Sequence, residues 1–127
     1  MAFPADVPQI EEAERQLGRT LPRVLRERLM RNNGGEIRVA GYVDDGPYWT
    51  LHPVWDGGDR KRIARTAGHI VRETREAHET IDALPDASIV IAGNGTGDLL
   101  LVLAGSDDVV WWDHETGGVE PVAVDCA

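Results

Sequence analysis

Apolar residues recur at helical spacing twice near the start of the chain. Ile10, Ala13 and Leu17 fall on one face behind Asp6, an N-cap residue type. Pro8 sits in the first turn, Glu11 and Glu12 lie near the positive end of the helix dipole, and Gly18 closes the segment. Leu21, Leu25 and Leu29 then repeat every fourth residue, with Met30 widening the stripe, Thr20 as the expected cap and Pro22 in the first turn. Arg23, Arg26 and Arg31 take the other faces, and Asn33-Gly34-Gly35 ends this helix because Asn and Gly reach the left-handed conformation cheaply. Two strand-like segments follow, Glu36 to Val43 and Tyr48 to Trp55, joined by the turn-rich Asp44-Asp45-Gly46-Pro47. After Asp56-Gly57-Gly58-Asp59 the helical period returns from Arg60 to Leu84. Ile63, Ala67, Ile70, Val71, Thr74, His78 and Ile81 lie along one face, with a kink or split expected at Gly68.

The last third alternates strand-like runs with Gly/Asn/Asp turns: Ser88 to Ala92, Leu99 to Ala104, Val109 to Trp112 and Val119 to Val124. Leu99 to Leu103 and Val109 to Trp112 are apolar at every position, so both faces of these strands are expected to be covered. The pattern as a whole predicts an α+β fold. A mostly antiparallel central sheet would be packed with about three to four helices, in one domain spanning residues 1–127.

Composition and charge narrow the classes. The single cysteine, Cys126, excludes an intramolecular disulfide and suits a reducing compartment. The N-terminus lacks a basic stretch followed by an apolar run, and the longest apolar runs, such as Leu99 to Ala104, are too short to span a bilayer. A soluble, cytoplasmic protein is expected. All 13 Lys and Arg lie between Arg15 and Arg75, where the chain up to Glu73 also carries 11 acidic residues; from Glu76 onward there are 11 Asp and Glu and no Lys or Arg. The net charge of −9 therefore divides into +2 and −11. Such a one-sided field disfavours nucleic acid and anionic membranes and favours a basic partner.

Few residues suggest chemistry. Gly93-Asn94-Gly95-Thr96-Gly97-Asp98 resembles a phosphate cradle in composition, but it leads into a strand rather than into the helix N-terminus that would hold an anion. Asp113-His114-Glu115 is the one tight run of metal-ligand types; neighbours on a strand point to opposite faces and in a turn mostly face water, so these are not expected to converge on an ion. His52, His69 and His78 lack metal-site spacing, and Ser88 and Ser106 lack the glycine-flanked elbow of an activated nucleophile. No catalytic residue, metal or cofactor is expected. Of the four tryptophans, Trp49 and Trp55 flank the second strand-like segment, and Trp111 and Trp112 point to opposite sides of theirs. One of the tandem pair belongs to the core, and the other to the opposite face, under a helix or at a binding surface.

Leu21-Pro22, a helix ending at Met30, then Asn33-Gly34-Gly35 resembles the SUKH superfamily pattern of leucine-proline, helix and asparagine-glycine-glycine. Ile89 to Ala92, Gly97-Asp98 and the strand ending in Trp112-Asp113-His114-Glu115 resemble its second half, so that the likeness runs from Ile10 to about Val122. The resemblance implies an α+β fold with helices around an antiparallel sheet, and binding without catalysis. It points to an immunity protein that occludes a cognate bacterial polymorphic toxin, many of which are nucleases. The alternative within the family is a general interaction module of the Smi/Knr cell-wall-regulator type. Leu25 and Arg28 stand where relatives often carry aromatics, in a family that diversifies its partner surface. The expected assignment gives Leu21, Pro22, Asn33, Gly34, Gly35 and Gly97 to the framework. Asp98, Asp107, Asp108, Trp112, Asp113 and Glu115 go to a patch facing a basic toxin domain.

Overall fold

A computed structural model describes residues 3–39 and 49–125. Its first helix, α1 (Val7–Leu17), starts where the capping chemistry places it. Asp6 Oδ1 accepts the Gln9 N–H at 3.0 Å, and Gln9 Oε1 accepts the Asp6 N–H at 2.9 Å, a reciprocal capping box. Gly18, with φ 81°, closes the helix in the left-handed region. The second helix, α2 (Arg23–Arg31), begins later than expected: Pro22 holds the N-cap position, no side chain caps it, and Thr20 lies outside. The corner is fixed instead by Glu14 of α1, buried, whose carboxylate accepts the Leu21 N–H at 2.6 Å and pairs with Arg26 at 3.1 Å. Leu21, Leu25 and Leu29 are buried as the fourfold repeat predicts, whereas Met30 faces solvent and Arg28 takes a buried place, bonding the Asn32 and Glu36 carbonyls.

Strands β1 (Glu36–Val39) and β2 (Trp49–Leu51) follow, and β2 stops short of the run to Trp55 because the chain leaves the sheet at Pro53. The Asp44–Pro47 turn, the outer ends of these two runs and Cys126 lie outside the described residues. The predicted helix from Arg60 divides into α3 (Arg60–Arg65) and α4 (Ile70–Thr80), split around Gly68. The apolar face holds only for α4, where Ile70, Val71 and Thr74 are buried; Ile63 and Ala67 of the α3 side are exposed.

Four antiparallel strands complete the sheet: β3 (Ile89–Gly93), β4 (Leu99–Val102), β5 (Val109–Trp112) and β6 (Val119–Val122), followed by the two-residue β7 (Val124–Asp125). The order is β6-β5-β4-β3-β2-β1-β7. Its two outermost strands are successive pieces of one stretch of chain, with only Ala123 between them. Two residues of extended chain span about 7 Å at most, so the sheet must roll until its edges nearly meet. The glycine-rich Gly93–Asp98 segment turns β3 into β4, as its context indicated, with Gly95 and Gly97 at positive φ.

Both faces of β3–β5 are covered. The larger core joins Ile89, Ile91, Leu100 and Val102 to Ile10, Leu25 and Leu29 of the first two helices and Ile70 of α4. The smaller places Val90, Leu101, Val110 and Trp112 against Leu84, Ala77 and Ile81. A register shift between Val90 and Ala92 inserts Ile91, which joins the larger core beside Ala92.

Candidate partner-binding surface

Three of the framework residues, Asn33, Gly34 and Gly35, form a single device. Asn33, buried, grips a segment 21 residues away: its Nδ2 donates to the Val54 carbonyl at 2.9 Å, and its Oδ1 accepts the Val54 N–H at 2.8 Å. Gly34 and Gly35 follow at φ 116° and 80°, a conformation that costs a side-chain-bearing residue about 1 kcal/mol or more. The Gly34 Cα also lies against Pro53 and the Leu51 carbonyl, where an added Cβ would meet ordinary contact at 3.6–3.7 Å. Leu21 and Pro22 are buried at the other end of α2, at its corner with α1. Gly97, at φ 103°, lets the His114 ring pack on its backbone, 3.1 Å from where a Cβ would stand.

The acidic residues expected to form one patch are distributed over two ends of the sheet. Asp107 and Asp108 precede β5, and Asp113 and Glu115 follow it. The four residues of β5 separate Asp108 from Asp113 by about 17 Å of extended chain. At the first end Arg19 reaches across from the α1–α2 corner. It donates to the Leu103 and Ser106 carbonyls at 3.0 and 2.8 Å and pairs with Asp107 at 2.8 Å, so the charge of Asp107 is partly neutralised. Asp108 stays exposed beside it. Arg19 carries no pattern signal, and its role follows only from the packing of helix corner against turn.

At the other end Asp98 is a clamp. Oδ2 accepts the Trp111 Nε1–H at 3.0 Å, while Oδ1 takes the His114 N–H at 3.0 Å and the His114 Nδ1 at 2.5 Å. Burial alone would raise the Asp98 pKa, but the His114 and Trp111 hydrogen bonds outweigh it and hold the carboxyl below its ordinary value. Asp98, with Asp113 and Glu115 nearby, in turn raises the His114 imidazole. Asp113 Oδ1 organises the β5–β6 turn by accepting the Glu115 and Thr116 N–H groups at 2.7 and 3.3 Å. Residues 113–118 form a turn, and there Asp113 and His114 lie together instead of each facing water apart from the other. With Asp98 each offers one possible ligand atom within 4.8 Å of the others, while Glu115 stays outside this group. Trp111, Asp98, Asp113 and Glu120 line a cleft of 360 Å³ there.

The tandem tryptophans resolve against the expected assignment. Trp111 faces the larger core and meets Trp49 edge-on at 5.0 Å. Trp112 is 4% exposed, packed in the smaller core, and so is not a surface anchor. It is buried because the end of α4 and the segment after it cover that face of β5; of the two places left open for the second tryptophan, the fold selects the one under a helix. The exposed tryptophan is Trp55, at 53%, beside a groove of 430 Å³ formed with α1. His52 and His78 are engaged with backbone carbonyls, Val90 at 3.0 Å and Ser88 at 2.7 Å, which gives both a framework role. Among the described residues no helix is long and apolar enough to cross a membrane.

No curated protein and no solved structure matches the chain. A family profile does, over residues 4–126, covering the capped α1, the Asn33 clamp, the rolled sheet and the Asp98 turn. By that match the chain belongs to the SMI1 / KNR4 family (SUKH-1).

Proposed function

We infer that the protein is an immunity protein that binds a cognate bacterial toxin domain of basic surface and occludes it, without catalysis. The observation that carries this reading is family membership across nearly the whole chain. The charge distribution supports it, since after Arg75 the chain carries 11 Asp and Glu and no Lys or Arg. Asp108, Glu115 and the partly paired Asp107 are exposed, and Asp113 is half-exposed, so these four carboxylates project a field from both ends of β5. That field raises the encounter rate with a cationic surface and weakens as salt screens it. Asp98 and Trp112 contribute by holding the frame from which the others project. The test is a pulldown from the native cells at low and high salt, with partners identified by mass spectrometry. One stoichiometric partner carrying a basic toxin domain, released by salt, is the expected result. A diffuse set of housekeeping partners at either salt refutes the reading.

A further inference from the structure

Trp55 is held in water by buried neighbours. Val54 and Asp56 on either side are buried, and each is anchored by side chains elsewhere. Val54 is gripped by Asn33 through both of its backbone polar groups. Asp56 donates its N–H to Thr66 Oγ1 at 2.9 Å, while its carboxylate accepts the Gly58 N–H at 2.9 Å and faces Arg62 at 3.9 Å. Between these anchors the six-membered ring of the indole occupies the place a side chain at Gly57 would take. A Cβ there would stand 2.2 Å from Cη2 and 2.8 Å from Cζ2 and Cζ3. A large aromatic fixed before its partner arrives loses little rotamer freedom on binding, which is the physical character of an interface hot spot.

The groove beside it has a consistent chemistry. Pro8, Ala13 and Val71 give it apolar surface, and its charged lining is Asp6 and Glu12, with no Lys or Arg. Arg15, which pairs with Glu12, is not part of the lining. Burial and the charges of Arg72 and Arg75, against a smaller opposing pull from Glu73, push the His69 imidazole down and so favour its neutral form. Glu12 is already forked by Arg15 through both oxygens. The groove therefore offers an aromatic face, an apolar floor and the Asp6 carboxylate, whose Oδ1 caps α1. These complement one side chain above others. Arginine stacks its planar guanidinium on an indole, forks to carboxylates and sheds water more readily than lysine.

We propose that the groove between α1 and Trp55 docks an arginine side chain of the partner protein, with the guanidinium on Trp55 and its methylenes on Pro8, Ala13 and Val71. This rests on the reading of the chain as a protein-binding module, and it adds a contact separate from the acidic turns that flank β5. The probe is a blocked tetrapeptide of alternating arginine and leucine, titrated into ¹⁵N-labelled full-length protein, with a lysine-for-arginine version alongside. Saturable shifts are expected at the Trp55 indole N–H and the amides of residues 6–16. The lysine peptide should bind measurably more weakly, because an ammonium neither stacks flat on an indole nor forks to a carboxylate. In Trp55→Ala the α1 shifts disappear while the other indole signals keep their positions, showing that the fold persists. Shifts confined to residues 94–98, 107–108 and 113–118, or unchanged in Trp55→Ala, overturn the proposal, as does the absence of saturable shifts. No toxin is needed for this experiment. A salt-sensitive toxin partner with a silent groove would leave the immunity reading standing and remove the arginine site, and a responsive groove with no toxin partner would do the reverse.

Discussion

The Asn33 clamp makes the sharpest energetic prediction. Asn33→Ala removes the partners of both the Val54 N–H and the Val54 carbonyl, in a place where Val54 has no solvent exposure. Each buried group left unpaired costs about 1–3 kcal/mol, so a loss of about 3–4 kcal/mol follows once partial relaxation is allowed. For a chain of 127 residues, an unfolding entropy of about 2 cal/mol/K per residue converts this into a melting-point drop of about 10–15 °C. Urea unfolding followed by far-UV circular dichroism measures the free energy directly, and calorimetry gives the melting point. Asn33→Asp sharpens the test. It keeps an acceptor for the Val54 N–H but sets a second oxygen against the Val54 carbonyl. It should therefore be at least as destabilised at neutral pH, then recover relative to wild type on acidification, when a protonated carboxyl can donate. A loss below about 1 kcal/mol for Asn33→Ala, typical of an inconsequential surface change, would refute the clamp.

Three further outcomes follow from the same geometry. Trp112→Ala should cost about 3–5 kcal/mol as a large core truncation, whereas Trp55→Ala should stay within about 1 kcal/mol; comparable losses in urea unfolding would contradict their opposite placement. Gly57→Ala should lift the Trp55 ring off the backbone, moving its indole NMR signal and nearby amides while the core signals stay; an unmoved indole would show the ring is not seated there. His114, raised above its ordinary pKa first of all by its hydrogen bond to Asp98, stabilises the fold fully below the unfolded imidazole value, and that contribution is lost as pH rises through the folded one. Wild type should therefore lose more stability than His114→Gln as pH rises above the ordinary imidazole range, and equal urea-midpoint changes in the two proteins would rule the linkage out.

Local signals were legible where the determining partners lie within a few residues. Asp6, Gln9 and Gly18 delimit α1 by hydrogen bonds within one turn. The continuous apolar runs of β4 and β5 announce a sheet covered on both faces. Where a distant group decides, the reading diverged. Thr20 has the right side chain to cap α2, but Glu14, a turn back in α1, already fixes the corner and Pro22 starts the helix. Asp107 and Asp113 look like one patch in a short stretch of sequence, yet an intervening strand carries them to opposite ends of the sheet. Alternation placed the two tandem tryptophans on opposite faces, and because both faces are covered, as the apolar runs announce, Trp112 is packed in the core and not left for a partner. The exposure of Trp55 depends on Asn33 and Thr66, neither of which is near it in the chain.

The rolled sheet has a consequence for how the chain is made. β1, near the N-terminal third, pairs with β2 on one side and with β7 on the other, so its second partner is separated from it by most of the sequence. On the ribosome, β1 is synthesised long before β7 and must wait with one row of backbone donors and acceptors open. That open edge persists while β3 to β6 are added, a window in which another nascent chain could pair with it. Closure by Val124 and Asp125 is then a late, long-range event whose loop entropy is large. Folding yield in cells should therefore depend on how quickly the final strand follows the rest, and ribosome stalling just before residue 119 should trap a chain prone to associate through β1.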